Sequence, residues 1–362
     1  MNEKYNNETT ENKQVDTESV KCNECGSNML FDPETQTLIC PHCGSKVDFA
    51  TDTIAEELDI SVGFSKDREW TTDEAVVFAC ENCNAKVVLK NGETTKTCPF
   101  CGTAHVKKTD ELAGLKPNAL IPFAFGGEKA LSLSKAWAKK RFFAPKGFKK
   151  NLRAENLNGV YTPCFTFDSG TVSYYNGVIG NTRTRVVGSG KNKRVQTYVV
   201  WRNIAGTHCD SFDDVLITAG NKFDQRKLDK VSPYQTNDGK VYEEKYLLGF
   251  MAYHYDNDLT ECWGQAKTRM DTVIRRNILS KYVYDRLQYL NVSTSHNSVT
   301  YKYVMLPVYV GNFNYRKKLY NFYVNGSTGK VTGKTPKSPW KVLFTVLGGL
   351  ALIVGIGLLL SL

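Results

Sequence analysis

Eight cysteines near the N-terminus fall into two sets of identical spacing. Cys22-Asn23-Glu24-Cys25 is followed after fourteen residues by Cys40-Pro41-His42-Cys43. Cys80-Glu81-Asn82-Cys83 is followed, again after fourteen, by Cys98-Pro99-Phe100-Cys101, each cysteine 58 positions beyond its counterpart. Thiolates are soft ligands, and two C-x-x-C turns joined by a short hairpin close a tetrahedron around Zn2+. The spacing falls just short of the usual ~15–20 residues. Four cysteines per set leave no open coordination position, so the expected cofactors are two structural Zn2+ rather than a catalytic metal. His42, inside a knuckle, and His105, just past the last cysteine, read as bystanders. A ribbon of ~30 residues has almost no core, so metal binding (~10–16 kcal/mol in finger-sized modules) supplies most of its folding free energy.

The elements that must hold these ligands are hairpins. Gly26, Gly44, Asn84 and Gly102 follow the four knuckles, where the chain needs left-handed backbone that glycine and asparagine tolerate. Phe31-Asp32-Pro33-Glu34-Thr35 and Lys90-Asn91-Gly92-Glu93 carry turn chemistry between strand-like runs. The expected fold class is α+β: two small N-terminal zinc ribbons, a mostly antiparallel β-rich middle domain with two helices, and one C-terminal transmembrane helix. The boundaries are a disordered segment at 1–20, ribbon 1 at 21–49, an acidic linker at 50–74, ribbon 2 at 75–109, the middle domain at 115–335 and the membrane helix at 342–362.

In the middle domain, Ala130, Leu133, Trp137, Ala138 and Phe142 at helical spacing predict a helix over 128–143, stopped by Pro145. Ala266, Met270, Ile274 and Ile278 predict a second over 262–290. Aromatic and β-branched runs predict strands at 160–168, 171–179, 195–204, 215–218, 242–255, 301–310 and 318–324. Val160-Tyr161-Thr162-Pro163 is echoed by Val304-Met305-Leu306-Pro307, and proline within a strand predicts an edge position or a bulge.

From Val342 to Leu362 there are 21 residues without a charge, fourteen of them Leu, Ile, Val or Phe. At ~1.5 Å per residue they span ~30 Å, the thickness of a bilayer's hydrocarbon core. Lys330, Lys334, Lys337 and Lys341 precede this run, so the positive-inside rule places the N-terminal bulk in the cytoplasm of a single-pass cell-membrane protein. Reduced zinc thiolates suit that compartment. Gly348, Ala351 and Gly355 form a small-residue stripe through which such helices self-associate.

Charge weighs against nucleic acid as the partner. Residues 1–109 carry 11 Lys+Arg against 19 Asp+Glu, a net of −8, and the remainder carries +18. DNA binding rests on a basic footprint, which the ribbon pair lacks, although 75–109 alone is +3. A membrane-tethered nucleic-acid regulator is therefore the alternative reading. Arg183, Arg185, Lys191, Lys193 and Arg194 do cluster at a glycine-containing hairpin tip. An enzyme is the second alternative. His208-Cys209 beside Asp210, Asp213 and Asp214 is the nearest thing to a reactive set, but neighbours on a strand point to opposite faces. Cys164, Cys209 and Cys262 read as small buried hydrophobes, and His254 as a satisfied strand residue. No catalytic or cofactor-binding residue is assigned, and the chain is expected not to be an enzyme.

The paired ribbons, the Leu120-Ile121-Pro122-Phe123-Ala124-Phe125 entry to a helix, and Asn325-Gly326-Ser327-Thr328-Gly329-Lys330 before a lysine-flanked C-terminal helix resemble the bacterial YdjG-like family of tandem TFIIB-type zinc-ribbon membrane proteins. The resemblance covers roughly residues 20–362. It implies an adaptor encoded beside a phage-shock A-like and a stomatin-like (SPFH) protein, recruiting the SPFH partner to the lipid membrane under envelope stress.

Overall fold

The computed structural model describes residues 20–48, 53–64, 75–90, 98–103, 106–109, 114–150, 152, 157–315 and 318–360. The segment at 1–19, the turn at 91–93, much of the acidic linker, His105 and the last two residues of the C-terminal apolar run lie outside them. The strands are β1 (Leu30–Asp32), β2 (Thr37–Ile39), β3 (Lys46–Val47), β4 (Leu58–Asp59), β5 (Ala75–Cys80), β6 (Lys86–Lys90), β7 (Val106–Lys108) and β8 (Ala119–Leu120). They continue with β9 (Leu157–Val187), β10 (Arg194–Phe212), β11 (Ile217–Thr218), β12 (Lys240–Val241), β13 (Met251–Tyr253), β14 (Arg286–Tyr315), β15 (Lys318–Asn325) and β16 (Val331–Gly333). The helices are α1 (Gly127–Lys139), α2 (Lys146–Lys150), α3 (Gln225–Val231), α4 (Leu259–Ser280) and α5 (Pro339–Leu360). The fold is α+β and mostly sheet. Strands β1–β3 form a small sheet of their own, and the other thirteen described strands form one large sheet.

Its spine is the antiparallel pair β9 and β14, 31 and 30 residues long. The two echo segments are partners across it: Pro163 faces Met305 and Pro307 faces Tyr161. Neither proline is on an edge strand, contrary to expectation. In a strand the N–H and C=O of one residue point the same way. The Pro163 carbonyl accepts from Ala219 N–H and the Pro307 carbonyl from Gly326 N–H. The missing N–H of Pro163 therefore faces the place where β9 changes neighbour from β11 to β13, and that of Pro307 the place where β14 passes from β8 to β15. No ladder bond is lost there.

Beyond Asp168, β9 runs on with β10 and β14 as a three-stranded arm. Ser169-Gly170 reads locally as a turn, and two strands were expected; pairing on both sides carries the chain straight through. Along the arm, Ser169, Thr171, Ser173, Tyr175 and Ile179 are buried and alternate with exposed Gly170, Tyr174 and Asn176. Helix α4 covers the buried face with Leu259, Cys262, Ala266, Met270, Ile274 and Ile278. Its start is fixed by a capping box between Asp258 and Glu261. It stops at Ser280 rather than at 290, because residues 286–290 already belong to β14 and pair with β9. Helix α1 ends at Lys139 rather than 143: the Arg141 N–H turns back to the Ala138 carbonyl and the Ala144 N–H to the Arg141 carbonyl, and Phe142 is 65% exposed instead of packed. Helices α2 and α3, of 5 and 7 residues, are too short to leave a periodic signal.

Candidate metal centres

Both cysteine sets converge. Within each, the Sγ atoms of Cys22, Cys25, Cys40 and Cys43, or of Cys80, Cys83, Cys98 and Cys101, all lie within 4.8 Å of one another. Closest approaches are 3.4 Å for Cys22–Cys43 and Cys25–Cys40, and 3.6 Å for Cys80–Cys101 and Cys83–Cys98. A Zn–S bond of ~2.3 Å gives a tetrahedral edge of ~3.8 Å, so both cages fit the ion with slight expansion. The four knuckles share one backbone design. The residue after each C-x-x-C pair donates its N–H to the carbonyl of the first cysteine at 2.8–2.9 Å, from Gly26, Gly44, Asn84 and Gly102. Their φ values are 70°, 76°, 55° and 72°, so Asn84 adopts the left-handed geometry that glycine supplies elsewhere.

The donor set also makes chemical sense as a metal cage. Protonated thiols packed this tightly must share protons: the Cys83–Cys98 hydrogen bond pulls Cys83 down to about 5 and pushes Cys98 far above the ordinary thiol range. A divalent cation relieves that conflict by taking all four sulfurs as thiolates. His42 is exposed beside the first cage.

Neither ribbon hangs free. In the first, Asp32 shapes the hairpin by accepting from Glu34 N–H and Thr35 Oγ1. Gln36 then donates to the Phe123 carbonyl at 2.8 Å. Phe31 packs edge-on against Tyr246, ring centres 5.2 Å apart, and its N–H donates to the Leu248 carbonyl. In the second, β6 pairs antiparallel with β13, Val87 opposite Tyr253 and Val88 opposite Ala252. Phe100 lies against Tyr253 at 4.9 Å, and Asn312 donates to the Pro99 carbonyl at 2.9 Å.

The described part of the linker is also docked: β4 pairs with β14 at Thr300 and Tyr301. This brings Glu57 to Lys302, a contact between residues 245 positions apart that sequence reasoning missed and no local signal marks. Lys302 is 4% exposed, and its ammonium lies 3.2 Å from both Glu57 and Asp214. Burial pulls Lys302 down, but the two carboxylates more than offset this and hold it above the ordinary lysine range. Asp168, desolvated and hydrogen-bonded to Glu57, is pushed up to about 7, while that same bond holds Glu57 low. Lys302 supplies the countercharge that makes this cluster a structural lock.

The remaining candidates separate. His208 Nε2 meets Asp210 Oδ2 at 2.8 Å under α4, whereas Cys209 is exposed. Cys209 was expected to be buried; its register opposite Val172 puts it on the arm's open face. Cys164 and Cys262 are buried as expected; His254, expected within a strand, lies just past β13, buried and bonded to the Tyr255 carbonyl. A pocket of about 310 Å³ near α3 and β15 is lined by Lys227, Lys230 and Lys334 with Tyr323 and Asn321, and its lining holds no carboxylate, histidine or cysteine.

Over 337 residues the chain is 30% identical to the "Uncharacterized protein YdjG" of Bacillus subtilis (strain 168), spanning 90% of this chain and 92% of that one. The chain belongs to the YdjG family. No family model matches it, and no solved structure does either. In this YdjG-family chain the second cysteine cage is joined to the sheet through β6, which pairs with β13, itself a parallel neighbour of β9. The window Pro339–Ile356 of α5, mean hydropathy 1.8, buries none of itself against protein and is long and apolar enough to cross a membrane.

Proposed function

We propose that this protein is a single-pass membrane adaptor whose two zinc ribbons, on the cytoplasmic side, help present a surface that recruits a protein partner. By the family resemblance that partner is a stomatin-like (SPFH) protein, with a phage-shock A-like protein as a second candidate, in an envelope stress response. The observation that carries this reading is the combination of two closed four-cysteine cages with an apolar helix left bare. Closed cages rigidify and perform no chemistry. A bare helix of this length localises whatever the sheet holds.

The test is partner localisation in cells carrying full-length protein with Cys25→Ser and Cys83→Ser. Such a protein should stay membrane-bound and fail to recruit. Recruitment that survives loss of both cages would place the interaction elsewhere on the sheet.

One observation favours the nucleic-acid alternative. The β9–β10 hairpin carries Arg183, Arg185, Lys191, Lys193 and Arg194 beside Tyr198 and Trp201, which are 40% and 46% exposed. Basic ribbons with aromatics do bind nucleic acid. That reading requires retention on DNA or RNA that falls steeply with salt and disappears when the five cations become glutamine.

A further inference from the structure

The connection between α1 and α2 reads Lys139-Lys140-Arg141-Phe142-Phe143-Ala144-Pro145-Lys146, four cations and no acid in eight residues. Helix C-termini favour cations, which accounts for three of the four. It does not account for Phe142 and Phe143, which are 65% and 38% exposed and sit edge-to-face at 5.2 Å. Ala144, Pro145 and Phe148 are buried behind them, Phe148 against Phe313 at 5.0 Å. The connection is thus seated on the sheet domain with its phenylalanines turned outward. Two bare aromatic rings among lysines are what an interfacial contact looks like.

The position of the connection fixes which interface. Ser338, one residue before α5, donates its N–H to the Phe143 carbonyl at 2.8 Å. Lys341, in the first turn of α5, donates Nζ to the carbonyls of Phe142 at 2.9 Å and Ala144 at 3.0 Å, and lies over the Phe142 ring at 5.6 Å. Trp340 is 67% exposed and stacks with Phe344, as expected of a residue at the headgroup boundary. Once α5 enters a bilayer, the connection bonded to its first turn must lie at headgroup depth, whatever the tilt of the helix.

We propose that this connection is a phospholipid-binding foot: Lys139, Lys140, Arg141 and Lys146 take anionic headgroups of the leaflet from which α5 departs, and Phe142 and Phe143 enter the interface between them. The foot rests on the reading that α5 crosses the membrane. It adds a second attachment that orients the sheet domain over the bilayer, where a single helix would let it swing. Each cation near an anionic surface shifts the docking equilibrium about fivefold.

The test uses the full chain in lipid nanodiscs of phosphatidylcholine alone, or with about a third phosphatidylglycerol, followed by amide hydrogen exchange of the peptide covering 139–146. Exchange should slow at least about fivefold in the anionic discs and recover at about 0.5 M salt, which screens such contacts. Replacing the four cations together with glutamine should abolish the lipid dependence and leave exchange in β9 unchanged. The salt arm needs no variant, so it stands even if the glutamine protein folds poorly. Inorganic phosphate added to micelles of neutral detergent should not reproduce the protection; if it does, the site takes free anions and the lipid assignment is overturned. Full assembly into discs with equal exchange in both lipids would overturn the foot and leave the anchor standing. Failure to assemble into discs at all would overturn the anchor and the foot with it.

Discussion

The backbone N–H of Phe31 donates to the carbonyl of Leu248 at 3.0 Å. This one bond ties the first ribbon to the segment that also serves the second, because β13 follows at Met251–Tyr253 and pairs with β6. The His254 N–H extends the contact to the Lys86 carbonyl. A single strap from Leu248 to His254 therefore touches both four-cysteine modules.

Purified in the absence of chelator, the protein should carry two zinc ions per chain by elemental analysis. Acidification below about pH 5 should release them, since the ligands must be thiolates and protons compete for them. One ion or none at neutral pH would remove the tetrahedral assignment from one or both cages.

Serine at a single ligand should act unequally. Cys98→Ser loosens a ribbon whose β6 is a strand of the main sheet, so it should lower the main thermal transition and expose β13 to protease. Cys25→Ser loosens β1–β3, which form their own small sheet, and should leave that transition closer to the parent. Calorimetry with limited proteolysis of the two variants compares them directly. Equal effects would mean that the strap transmits damage from either side.

Lys302→Met should cost roughly 3–5 kcal/mol in denaturant unfolding, the range for leaving a buried charge without its partner. The lower end is expected, because the Glu57 side chain is 35% exposed while that of Asp214 is 10% exposed. A change below about 1 kcal/mol would show that the cluster is solvated and only decorates the sheet.

Asp168 gives the pH dependence. Its folded pKa is raised to about 7, chiefly by burial and then by Glu57. A raised pKa means that the fold prefers the protonated acid. The stability this contributes is complete below the unfolded value of ~3.9 and is lost as pH rises through about 7. Asp168→Asn mimics the protonated form, so it should raise the melting temperature at pH 8, leave it unchanged near pH 4, and flatten the profile between. A melting temperature that falls at pH 8 would show that the charged form is the one the fold uses.

Topology is checked with protease. A reporter fused to Met1 should be cytoplasmic, the ribbons should be cleaved in inverted vesicles and protected in intact cells, and deletion of 342–362 should release the protein from the membrane. Leucine at Gly348 and Gly355 should weaken self-association in the bilayer without altering insertion, read by cross-linking. Ribbons that stay protected in inverted vesicles would reverse the orientation assigned from the four lysines.

The cysteines and the apolar helix were legible because their information is local: spacing closes a cage, and hydropathy over twenty residues measures a bilayer. The helical stripe Ala266, Met270, Ile274 and Ile278 was legible for the same reason. What was not legible is pairing at a distance. Nothing near Val87 says that it will lie opposite Tyr253, and Glu57 reads as one more acid in a solvated linker until Lys302 arrives from β14. Ser169-Gly170 misleads because a turn signal is a preference of a few tenths to about 1 kcal/mol, and two flanking strands outweigh it. Phe142 misleads in the opposite sense, since its spacing fits the buried face of α1 but the helix ends before reaching it.

The arm has a mechanical meaning as well. From Ser169 to Val187, β9 keeps a partner on at least one side at every residue, and at ~3.3 Å per residue that stretch measures about 60 Å. The tip is closed by Gly188 at φ 100°, where a Cβ would strike the Asn192 carbonyl oxygen at 2.4 Å. A hairpin so built behaves as a stiff rod. Anything held at its far end is kept at a set separation from the cages, as a ruler keeps two marks apart, and shortening β9 and β10 by matched pairs of residues would move the marks closer without touching either one.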